Sequence, residues 1–297
     1  MFHRITLTIA ICTLVVACSR SEDQDHNQDV VETQAVIGAL KAETSDGVEI
    51  AATIHSVGQP NVVLVHGWMC DQSYWEAQIP ALSEHFGVVS VDLAGHGLSG
   101  AGREAWTIAS LGDDVATIIS QLQLNNVVVI GHSMGGRVGL EVARLLPETV
   151  VGVIGVDTLH DAEAEWDPDE LSGLLTGFET DFVATCGVFV RSMFGGQALK
   201  LVIDEVVTDM CGGPGEIGTA LLRDYAAYDL AAALQAAQVP IRSINADKWP
   251  TNVTVNQKYA DFEVVVLNGF GHFLMQEAPT ELNDALIEAV TNLGAGN

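Results

Sequence analysis

The amino-acid sequence, 297 residues long, predicts an α/β fold with a mostly parallel central sheet, helices on both faces and a small helical cap inserted late in the chain. Three observations lead there. Short, continuously apolar runs alternate with segments of helical apolar spacing, the pattern of strands buried between two helix layers. A Gly-x-Ser-x-Gly pentapeptide, Gly131-His132-Ser133-Met134-Gly135, sits where one such run meets one such helix. The alternation then stops from Thr158 to about Thr219 and resumes afterwards, which marks an insertion.

Taken in order, residues 1–17 read as an export signal of lipoprotein type. Arg4 gives a positive start, Ile5 to Val16 is almost wholly apolar, and the run is too short to span a bilayer comfortably. Leu14-Val15-Val16-Ala17-Cys18 resembles a bacterial lipoprotein box, whose cysteine is lipidated and becomes the mature N-terminus; Ser19 after it implies release to the outer membrane. A plain signal peptide with an incidental cysteine is the alternative. Residues 18–34 are polar and acidic, and read as a solvated tether. The expectation is an exported protein held on the periplasmic side of the outer membrane by a lipid on Cys18, or otherwise periplasmic or secreted.

The first part of the core is expected over residues 35–157. Ala35 to Thr44 and Val48 to Val57 alternate apolar and polar around Ser45-Asp46-Gly47, a hairpin signal. Asn61 to Val65 and Gly87 to Val91 read as buried strands, with a helix between them around Tyr74 to Phe86. A second helix, Ile108 to Leu122, follows a cap at Thr107; then come the strand Asn126 to Ile130, the helix after Ser133, and the strand Val150 to Val156. Residues 158–225 are expected to form the cap, from the apolar pieces Leu171–Phe178, Phe182–Phe194 and Leu199–Val207. Residues 226–297 return to the core with the strands Val239 to Ile244 and Glu263 to Leu267 and the helix Thr280 to Leu293.

Composition narrows the partners. With 48% hydrophobic residues and no later apolar run long enough for a membrane span, the remainder is globular. Twelve Lys and Arg against 39 Asp and Glu give a formal charge of −27, which argues against nucleic acid or anionic lipid as a partner. The carboxylates of Asp161 to Glu170 are read as a solvated face without chemistry. No Cys-x-x-Cys spacing suggests a metal, and an exported chain can keep a disulfide, for which Cys186 and Cys211 are the candidates.

Leu64-Val65-His66-Gly67-Trp68, Asp92-Leu93-Ala94-Gly95-His96-Gly97-Leu98-Ser99, the Ser133 pentapeptide and Gly269-Phe270-Gly271-His272-Phe273 occur in that order. Together they resemble the α/β-hydrolase fold superfamily from about residue 35 to the end. The resemblance implies that fold, with esterases, lipases, lactonases, peptidases, C–C hydrolases and cofactor-free haloperoxidases among its activities.

Chemistry alone points the same way. A sharp strand-to-helix turn lifts the Ser133 hydroxyl off the carboxyl edge of a sheet and aims it at a helix N-terminus. Serine is a poor nucleophile until a base takes its proton, and of nine histidines His272 is favoured, in a loop just past the strand Glu263 to Leu267. The family uses His66, His96 and His132 for hydrogen bonding around the site; His26, His55, His85 and His160 are expected to be exposed or in the cap. A carboxylate should orient the base. Asp157, directly ending the strand Val150 to Val156, is preferred; Asp247, after Val239 to Ile244, occupies the position most of the superfamily uses, but its loop lacks the usual glycine and is compressed before Pro250. By analogy with the family, the backbone N–H groups of Trp68 and Met134 form an oxyanion hole. Trp68 and Met69 then wall the acyl side, with ordinary core as the alternative, and Asp92 is read as a structural carboxylate tying turns together rather than a third catalytic acid. The function expected is hydrolysis of carboxylic esters with small or medium acyl chains through an acyl-enzyme, with no metal or organic cofactor. A C–C bond hydrolase or haloperoxidase of the same fold, or a non-catalytic ligand-binding protein, are the alternatives.

Overall fold

The computed structural model describes residues 37–294. The leader 1–17, Cys18 and the tether 18–34 lie outside the described residues.

The strands fall where apolar β-branched runs place them: β1 (Gly38–Glu43), β2 (Glu49–Ser56), β3 (Asn61–Val65), β4 (Gly87–Val91), β5 (Val127–His132), β6 (Val150–Val156), β7 (Ile241–Ala246) and β8 (Phe262–Leu267). They form one sheet in the order β1-β2-β4-β3-β5-β6-β7-β8. The β1–β2 and β2–β4 pairs are antiparallel and all others parallel. Thr44 closes the β1–β2 turn by exchanging hydrogen bonds with the Val48 main chain, and Gly47 supplies the left-handed residue at φ +83°. Every residue of β3, β4 and β5 is buried, so both faces of the sheet are covered.

The helices of the core are α1 (Ile79–Ser83), α2 (Ile108–Gln121) and α3 (Met134–Leu145); those following β6 are α4 (Pro168–Thr180), α5 (Phe182–Met193), α6 (Lys200–Gly212), α7 (Gly215–Ala227) and α8 (Leu230–Ala237). After β7 come α9 (Val253–Asn256), α10 (Leu274–Glu277) and α11 (Pro279–Gly294). Helices α2, α3 and α8 pack side by side, with α3 on β5 and β6, while α1 and α11 pack together on the sheet's other face. Thr107 caps α2 reciprocally with Ser110. Asp167, Asp181 and Asp229 accept N–H groups at the starts of α4, α5 and α8, so part of the acid excess caps helices.

One expected helix is broken. Over Tyr74 to Phe86 the chain forms a 3-10 turn, Gln72–Trp75, and then the short α1. The Asp71 carboxylate caps the turn at Ser73 N, Trp75 and Leu82 are fully buried on either side, and Pro80 has no N–H with which to continue a helix from the preceding turn.

Between β6 and β7 the insertion is helical. Cys186 on α5 and Cys211 on α6 form a disulfide, with their Cα atoms 5.5 Å apart. By the chain-entropy argument, a bridge between residues 25 apart stabilises by about 3.5 kcal/mol. Replacing both cysteines by alanine should lower the urea unfolding midpoint accordingly. An unchanged midpoint would show that α5 and α6 hold together by packing alone.

Candidate active site

The parallel strands end at one edge of the sheet, and the candidate residues collect there. Ser133 stands between β5 and α3 with φ 52° and ψ −116°, a left-handed conformation that a non-glycine residue holds only when its surroundings force it. Its flanking glycines are forced by contact. A Cβ at Gly131 would lie 2.1 Å from the Gly135 carbonyl oxygen, and one at Gly135 would lie 2.4 Å from that of Val65. Met69, Asp157 and Leu159 also have positive φ, so backbone strain concentrates around this edge.

His272 follows β8, and its Nδ1 lies 2.6 Å from Asp157 Oδ2, at the end of β6. With the proton of that bond on Nδ1, the ring keeps a lone pair on Nε2. Asp157 is held from several sides: its N–H donates to Ile244 O, its Oδ1 accepts from Ala246 N at 2.8 Å, and Asn245 Oδ1 accepts from the following N–H, Thr158 N. Burial alone would raise the Asp157 pKa. The imidazoles of His160 and His272 outweigh it and hold the carboxyl well below the usual carboxylate range. His160 Nε2 is 3.6 Å from Oδ1, an electrostatic contact beyond hydrogen-bond reach.

Asp247 is not brought to His272. It is exposed, and its Oδ1 accepts from Gly269 N at 2.8 Å, tying the loop that leads to the histidine. The end of β7 supplies the cradle for Asp157 instead of an acid of its own.

Ser133, His272 and Asp157 line one cavity of about 320 Å³. Trp68 and Met134 line it too, and neither of their backbone N–H groups has a hydrogen-bond partner among the described residues. The remaining walls are mostly apolar: Phe189 and Met193 from α5, Met210 from α6, Leu222 and Tyr225 from α7, and Trp249 after β7. No lysine or arginine lines it. Trp68 anchors the insertion, donating from Nε1 to Gly218 O at 2.7 Å and packing against Phe178, Phe182 and Phe189. Of the two readings of Met69 the structure shows the core one: it does not line the cavity, and its side chain fills the space that Gly213 and Gly218 leave open. Its left-handed φ of 56° turns it away from Trp68's direction.

His66, His96 and His132 are buried hydrogen-bonding groups. His66 donates from Nδ1 to Gly67 O and accepts Leu93 N at Nε2. His96 donates to Ala94 O and accepts Met69 N, and His132 donates from Nε2 to His272 O. Asp92 accepts from the main chain of Gln72 and Leu98 and from the Gln72 amide, joining two loops. His160, which falls within the residues 158–225 expected as the cap, lines the cavity three residues after Asp157. Strand-end position marked Asp157 but not its neighbour, because the turn that carries His160 back depends on Leu159 at φ 55°. Among the described residues, no cluster of three or more His, Cys, Asp or Glu could hold a metal ion.

A strained serine at a strand–helix junction at the edge of a parallel sheet, lining the same cavity as a His–Asp pair, defines the α/β-hydrolase class. The sequence model of the Alpha/beta hydrolase family matches residues 62–285, and the chain belongs to that family. It is 31% identical over 146 residues to a pimeloyl-[acyl-carrier protein] methyl ester esterase of Sodalis glossinidius, a match covering 48% of this chain. The chain spans about half the length of that relative, 55%. Among solved structures, the fold resembles a thermophilic esterase from Thermogutta terrifontis (TM-score 0.74, 22% identity, 86% of this chain and 99% of that one). It also resembles a bromoperoxidase from Bacillus anthracis (TM-score 0.72, 23% identity, 85% and 100%).

Burial pushes His66 down to about 4 and, with the neighbouring imidazoles, His96 and His132 to about 3. Unfolded, these rings titrate near the ordinary value of about 6.5. Between pH 6.5 and 4 the unfolded chain therefore binds more protons, and stability falls with falling pH by up to about 1.4 kcal/mol per pH unit for each ring. Asp114, raised by burial to about 6, has the opposite sign and offsets about one of the three; Asp92, also raised by burial, adds to that offset. The melting temperature should drop from pH 7 to pH 4.5, with net proton uptake on unfolding. Titration of the three folded-state imidazole resonances above about pH 6, read by NMR, would show that the rings are charged in the folded protein and overturn this.

Proposed function

We propose that the protein is a serine hydrolase that cleaves carboxylic esters of small or medium acyl chains through an acyl-enzyme. The observation that carries this reading is the 2.6 Å pair of His272 and Asp157 in the same cavity as Ser133 on its strained turn. In the proposed reaction Ser133 Oγ attacks the ester carbonyl carbon as His272 Nε2 takes the hydroxyl proton. Asp157 stabilises the imidazolium. The N–H groups of Trp68 and Met134 donate to the oxyanion, where such donors are worth about 3 to 4 kcal/mol each. The tetrahedral adduct collapses as His272 returns the proton to the departing alcohol. Water then loses a proton to His272 and attacks the acyl carbonyl, which releases the acid and restores Ser133.

The cavity supports a substrate without negative charge. No Lys or Arg lines it to hold an anion, and its walls are aromatic rings, methionines and leucine. A volume of about 320 Å³ lies at the small end of ligand pockets, which suits a short or medium acyl group. The leader residues Leu14 to Cys18 and the Cys186–Cys211 bridge support the reading that it works outside the cytoplasm, on a lipid at Cys18.

A fluorophosphonate should label Ser133, as read by peptide mapping, and Ser133→Ala should abolish the adduct. An intact, folded protein that gives no adduct would favour a ligand-binding protein. For the acid, Asp157→Asn should lower kcat on p-nitrophenyl esters by about 10³- to 10⁴-fold, because the wrong imidazole tautomer is then held. Asp247→Asn should leave it within about threefold of the parent. The reverse order would move the acid to β7.

A further inference from the structure

One carboxylate, that of Glu277, bridges the segment that carries His272 to the insertion, beside a main-chain bond and a ring stack. Glu277 Oε2 accepts from Gly271 N and from Gly195 N, each at 3.0 Å, and Oε1 accepts from Phe273 N at 3.3 Å. Gly271 and Phe273 flank His272, whereas Gly195 lies just past the end of α5. The N–H of His272 itself donates to Met193 O, the last residue of α5, at 3.0 Å. The Phe194 and Phe273 rings stack 4.7 Å apart. The two backbones are so close that a Cβ at Gly271 would sit 2.1 Å from Gly195 N. Met193 and Phe189, on the same helix, line the cavity.

We propose that Glu277 is a positioning residue for His272: by clasping residues 193–195 to residues 271–273, it makes the substrate-facing helix α5 and the base one rigid piece. The proposal rests on the reading of His272 as the base. Three main-chain N–H groups converge on one side chain, and its removal leaves them to find other partners at the point where the imidazole must hold its direction. A loop free to shift by about 1 Å misplaces the base, and misplacement of that size costs up to about 100-fold in turnover. The loss falls on kcat, because the cavity walls that bind the acyl group remain.

The experiment compares Glu277→Ala, Glu277→Gln, Gly195→Ala and His272→Ala in the full chain, with kcat and KM on p-nitrophenyl acetate and butyrate and the melting temperature of each. Glu277→Ala should lose about 30- to 100-fold in kcat with KM within about twofold. Glu277→Gln should recover to within about fivefold of the parent, since one amide oxygen can still accept from Gly195 and Gly271. Gly195→Ala keeps the carboxylate but puts a Cβ 2.8 Å from Glu277 Oε2, Gly271 N and Phe270 C alike, so it parts the two clasped backbones and should lower kcat, with KM within about twofold, even if Glu277→Ala does not fold. Parental kcat in Glu277→Ala, or equal losses in the Ala and Gln variants that follow melting temperature alone, overturns the clasp. Parental turnover in His272→Ala overturns the assignment of the base instead, which keeps the two failures apart.

Discussion

The hydrogen bond from His272 Nδ1 to Asp157 Oδ2 joins residues 115 positions apart, and no local preference of the chain could bring them together. The parallel sheet can. Because β6 and β8 run in the same direction with β7 between them, their ends emerge at the same edge, and the loops that follow need to travel only the width of one strand. Both sides of the contact are then fixed by bonds to neighbouring elements: Asp157 by the Ile244 and Ala246 main chain of β7, with the Asn245 side chain accepting from the adjacent Thr158 N, and His272 by the end of α5. Desolvation of the buried carboxyl is outweighed by the imidazoles of His160 and His272, which hold its pKa below the usual carboxylate range.

Around this contact the polar groups are matched rather than removed from the interior. His66 and His96 each donate at Nδ1 and accept at Nε2, which fixes the tautomer of both rings and uses all their capacity. His132 is different. Its Nε2 is bonded to His272 O but its Nδ1 has no partner, so an unpaired acceptor is buried directly beside the strained serine. A mutation that charged any of the three rings would place an ion where burial has already pushed the imidazole pKa to about 4 or below.

Much of the core was legible because its strands are runs of Val and Ile too continuous for an exposed sheet, and β3, β4 and β6 have the bounds that those runs suggest. The strand–helix junction at Ser133 was equally clear, since glycines at 131 and 135 answer a steric demand written in the pentapeptide itself. The choice between Asp157 and Asp247 was harder. Each follows a strand of the sheet; the sequence separates them only by the missing glycine and Pro250 in the Asp247 loop, whereas the left-handed turn at Asp157 has no composition signal. The break between the Gln72 turn and α1 depends on Pro80, whose effect was visible in principle, and on the burial of Trp75, which was not. Glu277 was beyond sequence reasoning altogether, because its role rests on N–H groups from the far side of the insertion.

The walls of the cavity come mainly from the part of the chain with the weakest periodic signal, and this has a physical reason. Helices α5, α6 and α7 must present apolar faces both to one another and to an enclosed space, so their apolar residues do not fall on a single stripe. The disulfide and the Trp68 anchor then replace the stabilisation that a simple amphipathic face would give. The result is a cavity with no Lys or Arg, whose one carboxylate, Asp157, is held by His272, inside a protein whose formal charge is −27. Under the proposed reaction that contrast acts on the product more than on the substrate. A neutral ester meets no repulsion on entry, whereas the carboxylate it becomes finds no cation in the walls and an acidic surface outside, so the field of the protein favours its departure.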